Sequence, residues 1–224
     1  MTQVKICGLT SAAAVRHAIS AGADYVGIVH FAKSPRHVEL DAARELAVCA
    51  RETASARSVV LLVNPADELV DRVAHHVAPD IIQLHGSETP DRVAEIGNLA
   101  QRPIFKAVSV AIKQDITDAT EYLTPGCADV ILFDAKPPPD ANLPGGNGLS
   151  FDWTILDGVA EEFPFALAGG LTPDNVAEAI ARTKAAIVDV SSGVEAAPGE
   201  KDPKLVESFI RASKGLDLND QNGR

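Results

Sequence analysis

Residues 165–193 have the sequence FALAGGLTPDNVAEAIARTKAAIVDVSSG, and this stretch contains the pattern that decides the fold. The short apolar run Phe165–Ala168 is followed by a segment with the spacing of a helix and then by a second apolar run, Ile187–Val190. A strand, a helix and a second strand in this order predict parallel strands joined by a right-handed crossover.

The same alternation of runs and helical segments extends over the whole chain. Segments with helical spacing, such as Ser11–Ser20, Asp41–Arg51 and Asp67–His76, lie between the apolar runs. Eight strand-helix units on a chain of 224 residues favour a single-domain α/β fold, a closed (β/α)8 TIM barrel, over an open doubly wound sheet. The other six runs are Val4–Cys7, Tyr25–Phe31, Val59–Val63, Ile81–Leu84, Ile104–Val108 and Val130–Phe133.

An aspartate stands directly before the second, fourth and sixth runs. Asp24, Asp80 and Asp129 indicate a faint repeat of two units, although three short matches could also arise by chance. Since no linker divides the chain, we predict one catalytic barrel domain over residues 1–216 and a polar tail over residues 217–224. The Pro- and Gly-rich stretch 136–148 is predicted to be a long loop after the sixth strand.

Composition excludes several classes of function. The net charge is −11 and no basic run occurs, which argues against nucleic acid or an anionic membrane as partner. No apolar stretch approaches the roughly 20 residues of a membrane span, and no signal-peptide pattern follows Met1. Three widely spaced cysteines, Cys7, Cys49 and Cys127, are expected to be free thiols in a reducing cytoplasm.

The candidate catalytic residues are polar side chains at strand ends, because barrels of this type place their sites there. Lys5 and Cys7 share one face of the first strand, and a nearby cation would favour a Cys7 thiolate. The alternative is that Cys7 is a small buried apolar residue. Asp134 follows three apolar residues, where a carboxylate is costly to bury unless it is paired or protonated, although it could instead cap the next loop.

Two loops after the seventh and eighth strands predict a phosphate site. After Gly169 and Gly170, Thr172 suits a helix N-cap and Pro173 the first helical position, so exposed amides there would attract an anion. The loop Ser191–Gly193 is also rich in donors, and barrels recurrently bind phosphate after these two strands. Two tight turns without a ligand are the alternative.

Arg36 lies in a cationic loop, Phe31–His37, that follows the second strand. Arginine can bind a carboxylate with two hydrogen bonds, although a solvated surface loop is the alternative. The glycines of residues 145–148 could form a loop that folds over a ligand. The histidines show no metal-ligand spacing and no cofactor motif occurs, so we predict neither a metal nor a cofactor.

These segments together resemble the phosphoribosylanthranilate isomerases, a family of the tryptophan pathway, from about Gln3 to Leu216. The first and last segments below are quite specific for the family. The matching segments are Val4–Thr10, Phe31–Arg36, Gln83–Gly86, Leu132–Asp134, Gly145–Gly148, Phe151–Trp153, Ala168–Val176 and Val188–Glu195.

The resemblance implies an Amadori rearrangement of N-(5-phosphoribosyl)anthranilate to an aminodeoxyribulose phosphate. It implies that Asp134 is the general acid and Cys7 the general base, that Arg36 holds the anthranilate carboxylate, and that Asp189 contacts or positions the ribose. The partner expected is a small phosphorylated substrate, with the protein a monomer or homodimer. The implied substrate-binding set is Arg36, Gly146, Gly169, Gly170, Asp189, Ser191, Ser192 and Gly193.

The sequence departs from the family pattern at two places, and two other functions are alternatives to the isomerase. Asn147 stands where the family more often has Thr, and Pro137–Pro139 make the loop after Asp134 unusually rich in proline. A related phosphosugar enzyme, such as an epimerase or the histidine-pathway isomerase, would lack the pairing of Cys7 with Arg36. A non-catalytic phosphate-binding barrel would not need both Cys7 and Asp134.

Overall fold

The computed structural model describes residues 1–53, 55–136, 145–146, 148 and 150–215, and eight parallel strands close into a barrel. Each strand pairs with the next, and β1 also pairs with β8, with Lys5 opposite Asp189. The predicted (β/α)8 barrel is therefore confirmed. The strands are β1 Gln3–Cys7, β2 Tyr25–Val29, β3 Arg57–Leu62, β4 Ile81–Leu84, β5 Ile104–Val110, β6 Val130–Ala135, β7 Phe165–Leu167 and β8 Ile187–Val190.

Helices pack against the outside of the strands, as the spacing predicts. The predicted segment Asp67–His76 differs in detail, because the α-helix ends at Arg72 and a π-helical turn, Val73–Val77, completes it. The helices are α1 Ala12–Ser20, α2 Leu40–Thr53, α3 Asp67–Arg72, α4 Pro90–Ala100, α5 Lys113–Ala119, α6 Val159–Glu162, α7 Val176–Thr183 and α8 Pro203–Lys214. None of the helices that the structure describes is long and apolar enough to cross a membrane.

Two large apolar cores follow from the alternation of side chains along each strand. The larger core lies between the strands and the helices, and it is built mainly from Val, Ile, Leu and Ala. The smaller core fills the barrel interior, where bulky residues of different strands meet. The interior core includes Tyr25, Val59, Ile81, Phe105, Leu132, Ala166 and Ile187.

The repeated aspartates have a common structural role. Each accepts a hydrogen bond of 2.7–2.8 Å from a backbone amide at the start of the preceding strand in the barrel. The faint repeat is therefore a set of equivalent contacts at the amino ends of the strands, away from the cleft. The amide and carboxylate pairs are Val4 with Asp24, Ser58 with Asp80 and Ile104 with Asp129.

A small antiparallel hairpin follows β8 and was not predicted. It consists of β9, Glu195–Ala197, and β10, Glu200–Lys201. Gly199 in its turn has φ 84°, and a Cβ there would lie 2.6 Å from the carbonyl oxygen of Pro35. The hairpin is thus in close contact with the loop that follows β2. The predicted tail, 217–224, and the prolines after Lys136 lie outside the described residues.

Candidate functional site

A cleft of about 790 Å³, open to solvent, lies at the carboxyl ends of the barrel strands. Its walls contain every residue that the sequence predicts for the site, from β1, β6, β8 and the loops between strands and helices. The barrel topology therefore collects these distant positions into one place. The predicted residues in the wall are Cys7, Arg36, Asp134, Gly146, Gly169, Gly170, Asp189, Ser191, Ser192 and Gly193.

The Cys7 side chain fits at the end of β1 because its neighbour on β2 is a glycine. Cys7 and Gly27 are paired across the two strands. A Cβ on Gly27 would lie 2.8 Å from both the Cα and the Sγ of Cys7, which is closer than real contacts allow. Gly27 therefore provides the space in which the Cys7 thiol reaches the cleft.

The charged groups around Cys7 have opposing effects on the pKa of its thiol. Lys5 Nζ lies 3.0 Å from both carboxylate oxygens of Asp189. Burial raises the pKa of the Cys7 thiol, Asp189 raises it further, and Lys5 lowers it without outweighing the other two. Burial alone would lower the pKa of the Lys5 ammonium, but Asp189 and Cys7 reverse this and raise it. The nearby cation that the sequence predicts is thus Lys5, and it offsets only part of the increase in the pKa of the thiol.

Asp134 is buried at the end of β6, where two different groups contact its two oxygens. Oδ1 accepts a hydrogen bond of 2.8 Å from the amide of Ala135. Oδ2 lies 3.2 Å from His85 Nε2, and His85 Nδ1 lies 3.1 Å from Gln83 Nε2. A Cβ on Gly145 would lie 2.5 Å from both Asp134 Oδ2 and His85 Nε2. The backbone at Gly145 therefore approaches the carboxyl closely, and only glycine permits this.

Arg36 is buried in an ion pair rather than solvated, so the surface-loop alternative is wrong for this residue. Its Nε and Nη2 donate to the two carboxylate oxygens of Glu195 at 2.7 and 2.8 Å. Lys201 Nζ lies 2.6 Å from Glu195 Oε1 and also donates to the Ser191 carbonyl at 2.9 Å. Burial would raise the pKa of Glu195, but hydrogen bonds from Arg36 and Lys201 lower it below its usual value.

The loops after β7 and β8 lie side by side. Gly169 and Gly170 have φ values of 86° and 62°, in the left-handed region that favours glycine. A Cβ on Gly193 would overlap the carbonyl oxygen of Leu171, so the second loop packs directly against the first. Residues of both loops thereby border one part of the cleft.

The prediction that Thr172 caps helix α7 and that Pro173 begins it is wrong. The helix begins at Val176, with Asn175 as its N-cap. The Asn175 side chain accepts a hydrogen bond of 2.8 Å from the Thr172 amide and donates one of 2.9 Å to the Gly170 carbonyl. These contacts close a separate turn before the helix, because asparagine side chains readily hydrogen-bond to the nearby backbone.

One group in the described part of the chain has donor atoms close enough for a metal ion. The donor atoms of His30, His37 and Glu39 lie within 4.8 Å of one another, a grouping that the sequence spacing did not indicate. His30 Nδ1 contacts the Val38 carbonyl oxygen at 2.9 Å, and His37 Nε2 contacts Glu39 at 3.2 Å. Internal hydrogen bonds thus already account for the grouping.

Sequence reasoning missed four residues around the cleft. Gln83 and His85 are polar residues two positions apart at the end of β4, so the alternation that identified Cys7 could have identified them. Glu195 and Lys201 could not be found in this way, because they lie beyond the last barrel strand. The turn pair Pro198–Gly199 was a local indication of their hairpin.

Comparisons with known proteins agree with the geometry. A family model described as N-(5'phosphoribosyl)anthranilate (PRA) isomerase matches residues 4–212. An N-(5'-phosphoribosyl)anthranilate isomerase of Paracoccus denitrificans is 56% identical over 207 residues, covering 92% of this chain and 94% of the relative. One from Rhodopseudomonas palustris is 48% identical over 95% of this chain and 98% of its own length.

Solved structures of phosphoribosyl anthranilate isomerases are also similar to this chain. The phosphoribosyl anthranilate isomerase of Thermotoga maritima is 35% identical with a TM-score of 0.86, covering 96% of this chain and 100% of its own. A crystal structure of such an isomerase in complex with reduced 1-(o-carboxyphenylamino)-1-deoxyribulose 5-phosphate is 34% identical, with the same coverage and a TM-score of 0.83.

Proposed function

The chain belongs to the phosphoribosylanthranilate isomerase family and catalyses the Amadori rearrangement of N-(5-phosphoribosyl)anthranilate in tryptophan biosynthesis, and we propose that Cys7 and Asp134 carry out its proton transfers. One observation carries this assignment. The thiol at the end of β1 and the carboxyl at the end of β6 line one cleft, together with a buried arginine and two glycine-containing loops.

Asp134 acts first, as the general acid. The protonated carboxyl donates its proton to the ring oxygen of the ribose, the C1′–O4′ bond breaks, and the nitrogen lone pair forms a C=N bond. The open-chain product of this step is an iminium ion with a free 4′-hydroxyl. His85 Nε2 lies 3.2 Å from Asp134 Oδ2 without hydrogen-bond geometry, and it borders the carboxyl on one side.

Cys7 acts second, as the general base. Its thiolate removes the proton from C2′, and the electron pair moves into the C1′–C2′ bond while the iminium nitrogen becomes neutral. The resulting enolamine tautomerises to the 2-ketone, which is 1-(2-carboxyphenylamino)-1-deoxy-D-ribulose 5-phosphate. The iminium accepts the electron pair itself, so the step requires no additional electron sink.

Binding uses the two ends of the substrate. Arg36 lines the cleft and receives the anthranilate carboxylate, since a guanidinium matches the geometry of a planar carboxylate. Amides around Gly170 and Ser191–Gly193 receive the phosphate, while Gly146 and Gly169 allow the backbone to approach the substrate. Asp189, held by Lys5, contacts or positions the ribose.

An anthranilate-fluorescence assay tests the catalytic pair. Cys7→Ala and Asp134→Asn should each lower kcat by about 10²- to 10⁴-fold, the usual contribution of a positioned acid or base. Cys49→Ala is the matched control, because Cys49 is a buried thiol on α2 outside the cleft, and it should keep parental kcat. Near-parental kcat in either active-site variant would refute the role of that residue.

All of these groups belong to one polypeptide, which supports a site that works in a monomer or in each half of a homodimer. One similar structure is of monomers made from the dimeric isomerase of Thermotoga maritima. Sedimentation velocity of the purified protein would measure the state of this chain. We further infer that the enzyme works in the cytoplasm, and fractionation of cells that express it would test this.

A further inference from the structure

Arg36, Glu195 and Lys201 form a buried group of three charges, which we call the Arg36 triad. We propose that Glu195 and Lys201 are specificity-determining positioning residues, which hold Arg36 and keep its charge effective for a substrate carboxylate. The inference rests on the proposed role of Arg36. It assigns a function to the β9–β10 hairpin, which otherwise lies outside the eight strand-helix units.

The first argument is orientation. Glu195 binds the Nε–Nη2 edge of the guanidinium with hydrogen bonds of 2.7 and 2.8 Å. The Nη1–Nη2 edge is the remaining one that can bind a carboxylate with two hydrogen bonds. A Cβ on Gly146, in the cleft wall, would lie 2.9 Å from Nη1. Glu195 therefore turns this edge of Arg36 toward the cleft.

The arginine stem is also held in place, so the orientation is fixed from two sides. A Cβ on Gly8, directly after β1, would lie 2.5 Å from the Cδ of Arg36. On the other side Gly199 packs against the carbonyl oxygen of Pro35. An arginine held in this way loses less conformational entropy when it binds a ligand.

The second argument is charge. Arg36 and Glu195 alone would form a neutral pair, and a neutral pair attracts a carboxylate weakly. Burial and Arg36 lower the pKa of Lys201, and Glu195, whose Oε1 lies 2.6 Å from Lys201 Nζ, opposes this shift. With Lys201 protonated, the triad carries one net positive charge. The three side chains are only 4–7% exposed, so solvent and salt screen this charge little.

Lys201 also joins the triad to the loop after β8. It donates to the carbonyl oxygen of Ser191 at 2.9 Å, and Ser191 Oγ donates to the Cys7 carbonyl oxygen at 3.1 Å. A change at Lys201 will therefore disturb phosphate binding too. A useful experiment must separate the carboxylate contribution from the phosphate contribution and from folding.

Two probes separate these contributions. One probe is reduced 1-(o-carboxyphenylamino)-1-deoxyribulose 5-phosphate. The other is the same molecule without its carboxylate. The ratio of the two Kd values, measured by calorimetry, reports carboxylate recognition. Phosphate contacts influence both probes equally, and unfolded protein lowers the binding stoichiometry without changing the ratio.

We expect the parent to prefer the carboxylated probe and Lys201→Met to reduce this preference about tenfold, the loss of a charge-assisted interaction. Lys201→Arg keeps the charge and should retain more of the preference than Lys201→Met. Glu195→Asp keeps the net charge but shortens the contact with Arg36, so it should also reduce the preference. Lys106→Met removes another lysine with a buried side chain, on β5 opposite β1 in the barrel, and should leave the ratio unchanged.

The two proposals fail in different ways. If Arg36→Met keeps the parental preference, then Arg36 does not bind the carboxylate and its proposed role fails. If Arg36→Met loses the preference while Lys201→Met and Glu195→Asp keep it, then Arg36 acts without the other two members. That second result would overturn the inference about the hairpin and leave the proposed function intact.

Discussion

The Cys7 thiol lies where the proposed base is needed, but its surroundings disfavour the thiolate. Burial and the Asp189 carboxylate raise its pKa, and Lys5 offsets only part of this effect. The arrangement nevertheless has a chemical advantage, because a thiolate of higher pKa is a stronger base toward a carbon acid. The fraction of thiolate and its basicity thus change in opposite directions.

The pH dependence of kcat/KM follows from this raised pKa. Below this pKa the thiol is protonated, so kcat/KM should rise by up to ~tenfold per pH unit wherever the general acid Asp134 still carries its proton. Lys5→Met removes the cation that lowers the pKa of Cys7, so the rising limb should move to higher pH. Steady-state kinetics of both proteins across pH measure this. A limb that stays in place would mean that a group other than Cys7 limits the rate.

Gly27 gives a second prediction about a single residue. Gly27→Ala would place a methyl group 2.8 Å from the Sγ and Cα of Cys7, so the thiol or the end of β1 must move. We expect kcat to fall at least tenfold, because small displacements of a catalytic group have large effects on rate. Gly97→Ala in α4 adds a methyl group at an ordinary contact distance, 3.4 Å from Ile104, and should leave kcat unchanged. Parental kcat in Gly27→Ala would show that the thiol tolerates the displacement.

At the scale of elements, the aspartates before β2, β4 and β6 join neighbouring strands at their amino ends. Asp80 accepts from both the amide and the hydroxyl of Ser58 at 2.7 Å, whereas Asp129 accepts from the Ile104 amide. These contacts lie at the opposite end of the strands from the cleft. They are therefore expected to contribute to stability and not to catalysis.

Asp80→Ala should lower the free energy of unfolding by about 1–3 kcal/mol, since it leaves donors of β3 without a partner. Asp129→Ala removes one hydrogen bond to Ile104 and should have a smaller effect. Urea unfolding measures both, and kcat/KM of the folded variants should match that of the parent. A larger loss in Asp129→Ala would contradict the explanation by hydrogen bonds.

The sequence predicts this architecture well because each element follows from local rules. The apolar run of β8 and Asp129 can be recognised in the sequence without knowing which residues contact them in the fold. The ion pair of Arg36 with Glu195 is different, because 159 residues separate its members and no periodicity connects them. The start of α7 was misplaced for a related reason. Thr172 and Asn175 are both residue types that suit an N-cap. The contacts of the Asn175 side chain with Thr172 and Gly170 are not visible in the sequence spacing.

At the scale of the whole molecule, a strongly acidic protein binds an anion through a few local donors. The net charge is −11, so the global field opposes substrate binding and the cleft must supply the attraction itself. In the proposed site, Arg36 supplies it for the carboxylate and the backbone amides of two adjacent loops supply it for the phosphate. These two parts should be separable in experiments.

Inorganic phosphate is the probe for the second part. A ligand that binds only the folded protein stabilises it by about 2.7 kcal/mol at 100 times its Kd, so phosphate should raise the Tm of the parent. Arg36→Met should keep this increase, because it removes none of the donor groups in the loops after β7 and β8. Gly193→Ala should abolish it, because a methyl group there would overlap the Leu171 carbonyl oxygen and push the loops apart.

Phosphate also stabilises proteins in general by exclusion from their surface, and this contribution is the same for all three proteins. The informative quantity is therefore the difference between the Tm increases of the parent and of Gly193→Ala, measured at equal ionic strength by differential scanning fluorimetry. An equal increase in both would show that the two loops do not bind phosphate. A loss of the increase in Arg36→Met would instead place the phosphate at the arginine, and the proposed substrate orientation would have to be reversed.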